Sequence, residues 1–177
     1  MKSLIAWITC CAVLSFTAST LAAEDSLDPN LEPLRPLLGT WRGEFKQSTP
    51  EKPLIDVLKF ERALNGKAIR SMHSINEGMY GGETIYTWDA EKKTILYHYF
   101  TTAGFMTTGT MKVDGKKFVA NEKVSGRGSS VTEVNGTAEL KEDGSFHVKT
   151  EHLKDGTSTP GHEVTYKRAA DAKVVFK

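Results

Sequence analysis

The sequence predicts an all-β protein, an antiparallel up-and-down β-barrel of about ten strands. Three observations predict it. Glycine-centred turn signals recur along the chain, the runs between them are rich in Val, Ile, Thr, Tyr and Phe, and no segment after Phe45 carries a sustained helical period. A meander of short strands exposes unpaired edges unless it closes, which favours a barrel over the alternative, a two-sheet sandwich.

The first element is not part of the fold. Lys2, the apolar run Leu4–Phe16 and the small residues of Ser19–Ala23 read as an export signal over residues 1–23, cleaved near Ala23. The apolar run falls short of the roughly 20 residues a membrane-spanning helix needs. Cys10 and Cys11 leave with the signal, and their "WITC" setting lacks the usual lipid-attachment pattern. An exported chain, periplasmic or secreted, then holds together without disulfides, by core burial alone. At this length a single domain hides about 70% of its unfolded surface, which suffices. Without Lys2 the acidic and basic residues balance. A neutral chain with no basic block is a poor partner for nucleic acid, and no second long apolar segment offers a membrane span. Glu24–Pro36, acidic and proline-rich, reads as a flexible leader that ends in a helical turn near Leu31–Leu38.

Strands follow near 38–47, 54–63, 67–75, 82–88, 93–100, 105–113, 117–124, 130–140, 145–153 and 161–168. They are divided by glycine turns at Asn65-Gly66, Gly81-Gly82, Asp114-Gly115, Asp143-Gly144 and Asp155-Gly156, with longer turns at Asp89–Lys93 and Ser125–Gly128. Asn135-Gly136 falls inside the eighth run and reads as a bulge, because a turn there would leave two short halves. The barrel spans residues 37–168, and 169–177 form a C-terminal tail.

The first strand opens on Leu37–Phe45, "LLGTWRGEF". Gly-x-Trp at the mouth of a first strand, after a short helical turn, resembles the lipocalin and wider calycin pattern. That resemblance implies that Trp41 plugs one end of the barrel and that an arginine of the last strand, here Arg168, lies across its face. Such a stack contributes about 0.5–2 kcal/mol, and Gly39 lets the backbone bend and approach closely. The span Leu34–Arg168 also resembles small bacterial lipocalin-like proteins of unknown function. It shares with them "LLGTWRGE" (Leu37–Glu44), "TWDAEKK" (Thr87–Lys93) and the closing "TYKR" (Thr165–Arg168). A more distant resemblance is to nitrobindin, the ten-stranded haem barrel, where the haem-binding histidine lies five residues before the closing tyrosine. Here Gly161 holds that position and His162 lies one residue nearer Tyr166. An offset of one turns a strand side chain to the opposite face unless a bulge intervenes.

Alternation sorts the strands into faces. The last turns His162, Val164 and Tyr166 inward, and the ninth Phe146, Val148, Thr150 and His152. The seventh turns in Phe118, Ala120, Glu122 and Val124, and the sixth Phe105, Gly109, Met111 and Val113. In the fifth, either Ile95, Tyr97 and Tyr99 or Leu96, His98 and Phe100 face the core. With Met72 as adaptable filler, the candidate ligand-lining residues are Met72, Phe105, Met111, Phe118, Glu122, Phe146, Thr150, His152, His162 and Tyr166. A mostly apolar interior with a few polar anchors is how small-molecule sites are built.

Catalytic and metal signatures are absent from the pattern. Five histidines, His73, His98, His147, His152 and His162, form no recognised zinc spacing. No cysteine nucleophile, Gly-x-Ser-x-Gly elbow or phosphate-cradling loop is present. "GRGSS" (Gly126–Ser130) is explained by a hairpin turn, and the Asn135-Gly-Thr137 sequon carries meaning only if the source glycosylates its exported chains, which a bacterial source would not. The sequence therefore reads as an exported barrel that binds a small hydrophobic or amphipathic molecule without a cofactor. Two alternatives stand beside it: a cofactor-independent isomerase- or cyclase-like enzyme using Glu122 with His152 or His162, and a haem carrier through His162.

Overall fold

A computed structural model describes residues 26–126 and 130–177. The export signal lies outside the described residues. The fold is a closed antiparallel barrel of ten strands: β1 (Gly39–Phe45), β2 (Ile55–Ala63), β3 (Ala68–Ile75), β4 (Tyr80–Asp89), β5 (Thr94–Thr101), β6 (Phe105–Asp114), β7 (Lys117–Gly126), β8 (Glu133–Leu140), β9 (Phe146–Lys154) and β10 (Thr157–Arg168). Each strand pairs with its neighbours in sequence. β1 also pairs with β10, opposing Trp41 to Arg168 and Phe45 to Val164, so no edge remains.

One end is sealed. The Trp41 indole is fully buried and donates from Nε1 to the Leu37 carbonyl at 2.7 Å. The Arg168 guanidinium lies 3.8 Å from its ring centroid and donates to the carbonyls of Pro36 and Leu38. Gly39 makes this seat possible. Its φ is +108°, and a Cβ would come within 2.8 Å of Arg168 Nη1.

The segment expected to be a flexible leader is packed from Ser26 onward. Leu27, Leu31 and Leu34 are buried in the core, and a 3-10 turn over Glu32–Leu37 carries Leu34 and Leu37 across the barrel end. Asp28 donates its backbone N–H to the Gly66 carbonyl, and Arg62 donates to that of Ser26. The prolines suggested looseness, yet leucines at 27, 31, 34 and 37 form one apolar stripe that the open barrel end must cover. The tail returns along the outside, where the Val175 N–H donates to Ser74 Oγ at 2.9 Å.

Two glycine readings are corrected. Gly81-Gly82 is not a turn but lies inside β4, and the β3–β4 turn is made by Asn76, Glu77 and Gly78, all with positive φ. Gly82 is small because the Tyr99 ring lies on it, a Cβ there falling 2.3 Å from Tyr99 Cε2. Asn135-Gly136 is not a bulge, since β8 runs in register with β7 and β9 throughout, and Asn135 accepts from the Asn121 amide at 2.7 Å. The irregularity falls instead in β10 between Pro160 and Glu163, where proline has no N–H for the ladder.

Candidate functional site

The sealed end and the strand alternation together create a lumen. It is a cavity of about 270 Å³, near the lower end of the range for small-molecule sites. Its floor is apolar: Leu34 and Leu37 of the plug, Phe60, Met111, Phe118 and Phe146. Phe146 holds this floor together, its ring centroid 5.8 Å from that of Trp41, 5.9 Å from Phe118 and 6.2 Å from Tyr166.

Toward the other end the lining becomes polar, because β2, β3 and β5 each turn a hydrogen-bonding side chain inward. Asp56 is only 3% exposed and uses both carboxyl oxygens. Oδ2 accepts from the Tyr166 hydroxyl at 2.7 Å, and Oδ1 meets His73 Nδ1 at 3.0 Å. His73 Nε2 meets the Tyr99 hydroxyl at 2.7 Å, which in turn meets that of Tyr80 at 2.9 Å. With the Nδ1 proton donated to Asp56, Nε2 accepts from Tyr99, and Tyr99 accepts from Tyr80. The result is a five-residue chain, Tyr80–Tyr99–His73–Asp56–Tyr166, in which the hydrogen bonds run toward one buried carboxylate. Burial first, then Tyr80 for Tyr99 and Asp56 for Tyr166, raises these two phenols above the ordinary tyrosine value.

A second polar group stands across the lumen. Glu122 on β7 accepts from Thr107 Oγ1 through Oε2, and burial raises its carboxyl above the ordinary value despite that bond. The register sets Tyr97 opposite Gly109 and Gly109 opposite Glu122. Because Gly109 has no side chain, the Tyr97 ring lies across β6 toward Glu122, its hydroxyl 2.6 Å from where a Cβ would stand.

Of the residues singled out in the sequence, Met111, Phe118, Glu122, Phe146, Thr150, His162 and Tyr166 line the lumen. His152 and Phe105 share the inward parity but lie at the strand ends beyond the enclosed part. Met72 is a correction. Its neighbours Ser71 and His73 line the lumen, so alternation carries Met72 to the outer face. His162 does face inward, because β10 is regular from Glu163 to Tyr166 and the bulge precedes that stretch. Its ring packs edge-on against Phe45 at 5.5 Å and His152 at 5.2 Å, and partial burial, followed by His152, lowers its pKa. Glu122 is hydrogen-bonded to neither His152 nor His162; within the lumen the histidine that joins a carboxyl is His73, through Asp56.

Asp56 was missed, His73 was weighed only as a metal ligand, and Tyr97 and Tyr99 stood as one of two alternatives. Asp56 was the most legible, an acid sharing parity with Leu58 and Phe60 on an otherwise apolar face. The fifth strand, ambiguous in sequence, turns Ile95, Tyr97 and Tyr99 inward and leaves Phe100 49% exposed.

No protein-family model matches the chain, and no curated protein sequence matches it. Among the described residues no cluster of three or more His, Cys, Asp or Glu side chains is arranged to hold a metal, and no helix is long and apolar enough to cross a membrane. The haem implied by the nitrobindin resemblance would call on His162, which lines the lumen at its exposed rim.

Proposed function

We propose that this protein is an exported, lipocalin-like carrier that takes a small apolar or amphipathic molecule into its barrel. The observation that carries the reading is the lumen itself. A cavity of about 270 Å³ remains inside a closed barrel, with aromatic and aliphatic side chains below and a hydrogen-bonded polar tier above. A core built only for stability would close such a space, since cavities are costly. An apolar body resting on Phe118 and Phe146 would place a polar head beside His73, Tyr97 and Glu122. Residues 1–23 supply the export signal, and lipocalin-like membership rests on the Trp41–Arg168 closure together with the ten-strand meander. The test is native mass spectrometry of protein purified from its source. A bound small molecule released on unfolding supports the reading, and a barrel that is always empty and takes up no apolar probe contradicts it.

The Asp56–His73–Tyr99 chain favours a second reading, a cofactor-independent enzyme that moves a proton to or from a bound substrate. A buried acid that orients an imidazole, which in turn bonds a phenol facing the substrate space, is an arrangement suited to general acid–base chemistry. In this reading His73, rather than His152 or His162, partners the acid. Turnover of a candidate substrate that survives His73→Asn and Tyr99→Phe unchanged removes it. A Soret band on titration with haem, lost in His162→Ala, would instead support a haem site at the rim.

A further inference from the structure

The lumen is asymmetric in charge. Asp56 and Glu122 both line it, while no lysine or arginine does. Burial is the main cause that raises the phenols of Tyr80, Tyr97, Tyr99 and Tyr166, and Asp56 or Glu122 adds to it, both acids acting on Tyr80 and Tyr99. Asp56 is saturated by Tyr166 and His73. Glu122 is not. Thr107 occupies Oε2, and no cation or hydrogen-bond donor meets Oε1 among the described residues.

Beside this half-satisfied carboxyl is a second vacancy. Tyr97 is 5% exposed, yet among the described residues its hydroxyl has no hydrogen-bond partner, and it lines the lumen. It lies over Gly109, whose strand neighbour is Glu122, so the phenol and the carboxyl share one row across β5, β6 and β7 without bonding each other. Two polar groups that face a common space and leave each other unbonded define the place of a third group. Glu122 is partly buried, and a carboxyl withdrawn from water gains from a cation that pairs with it. An ammonium fits both vacancies, donating to Glu122 Oε1 and to the Tyr97 oxygen. The walls also suit it. The Tyr86 and Tyr97 rings stand 5.4 Å apart and bound the same space, and tyrosine faces attract cations.

We propose that the lumen selects a small amine, an ammonium group on a compact aromatic or aliphatic body, with the cation held by Glu122 and Tyr97 and the body on the Phe118–Phe146 floor. The inference rests on the carrier reading and names its ligand class. The size of the lumen sets the scale. An apolar cavity of about 150 Å³ accepts benzene, so about 270 Å³ accepts one or two rings and a short side chain.

Three probes of nearly equal shape test it: 1-phenylethylamine, acetophenone and α-methylstyrene, which place an ammonium, a carbonyl and a methylene at the same point. Their binding to the full chain is measured by titration calorimetry or ligand-observed NMR. The amine is expected to bind at least about tenfold tighter than α-methylstyrene, as a charged hydrogen bond commands. Glu122→Gln should abolish that preference, and Tyr97→Phe should reduce it severalfold. Equal binding of the three probes, a preference for acetophenone, or an amine preference that survives Glu122→Gln overturns the amine assignment and leaves the carrier reading standing. Binding of none of the three overturns both.

Discussion

The Asp56–Tyr166 hydrogen bond ties β2 to β10 across β1, and its removal has a definite cost. Tyr166 is 6% exposed and Asp56 3%, so water is not available to replace the lost partner. The bond is 2.7 Å long, and Tyr166 feels the negative charge of Asp56. Bonds of this kind contribute about 1.5–3 kcal/mol, more than neutral ones. Tyr166→Phe keeps the ring packed against Phe146 and removes only the hydroxyl, so the expected loss is about 2 kcal/mol. For a chain of this size that lowers Tm by about 4–8 °C. Urea denaturation of wild type, Tyr166→Phe, Asp56→Ala and the double variant closes a cycle whose coupling energy is about 1.5–3 kcal/mol. If the two losses add to within about 0.5 kcal/mol, the pair is not coupled and the buried chain does not exist as described.

Three further outcomes follow from the same geometry. Gly82→Ala places a Cβ 2.3 Å from Tyr99 Cε2 and 2.4 Å from the Phe100 carbonyl; it should destabilise by at least about 2 kcal/mol and shift the His73 ring resonances in NMR, because Tyr99 must leave its seat. Arg168→Ala removes the cation over Trp41 and should cost about 1–3 kcal/mol and weaken the near-ultraviolet signal of the indole, whereas Arg168→Lys recovers only part because it lacks the planar fork. For Glu122 the raised folded pKa means that its stabilising contribution is present in full below the ordinary glutamate value of about 4.3 and is lost as pH rises through the folded value. Glu122→Gln should therefore gain stability over wild type from acid toward neutral pH, seen as a flatter denaturation midpoint against pH; identical profiles would mean the carboxyl is fully solvated. The tyrosines that share its field, Tyr80, Tyr86, Tyr97 and Tyr99, stay neutral across that range.

Much of the fold was legible because the barrel is built from local signals. Aspartate–glycine pairs mark hairpins, and strand composition fills the intervals, so each of the ten strands was placed within a few residues. The closure was legible too, in Gly39, Trp41 and Arg168. The failures share one physical cause. Gly81-Gly82 and Asn135-Gly136 carry turn residues inside strands, and only the neighbouring strands explain them: Gly82 makes room for Tyr99, and Gly136 lies between Ala120 and Thr150. The leader was misread for a similar reason, since the partner of Leu27 and Leu31 is the barrel end, which exists only after folding.

The site was less legible than the fold. Glu122, Met111, Phe118 and Tyr166 followed from alternation alone. The Asp56–His73–Tyr99 chain did not, because its members come from β2, β3 and β5 and no spacing in sequence records their meeting. Tyr97 and Tyr99 were one of two equal choices in a strand with aromatic residues on both faces. Met72 was assigned by residue type rather than by parity, and parity was the better guide.

A crystal of the protein pressurised with xenon tests the central claim most directly, because xenon enters dry apolar cavities and scatters strongly. The account predicts a xenon peak inside the barrel, in contact with Met111, Phe118 and Phe146. A barrel without xenon, its centre occupied by side chains packed to normal protein density, would contradict it.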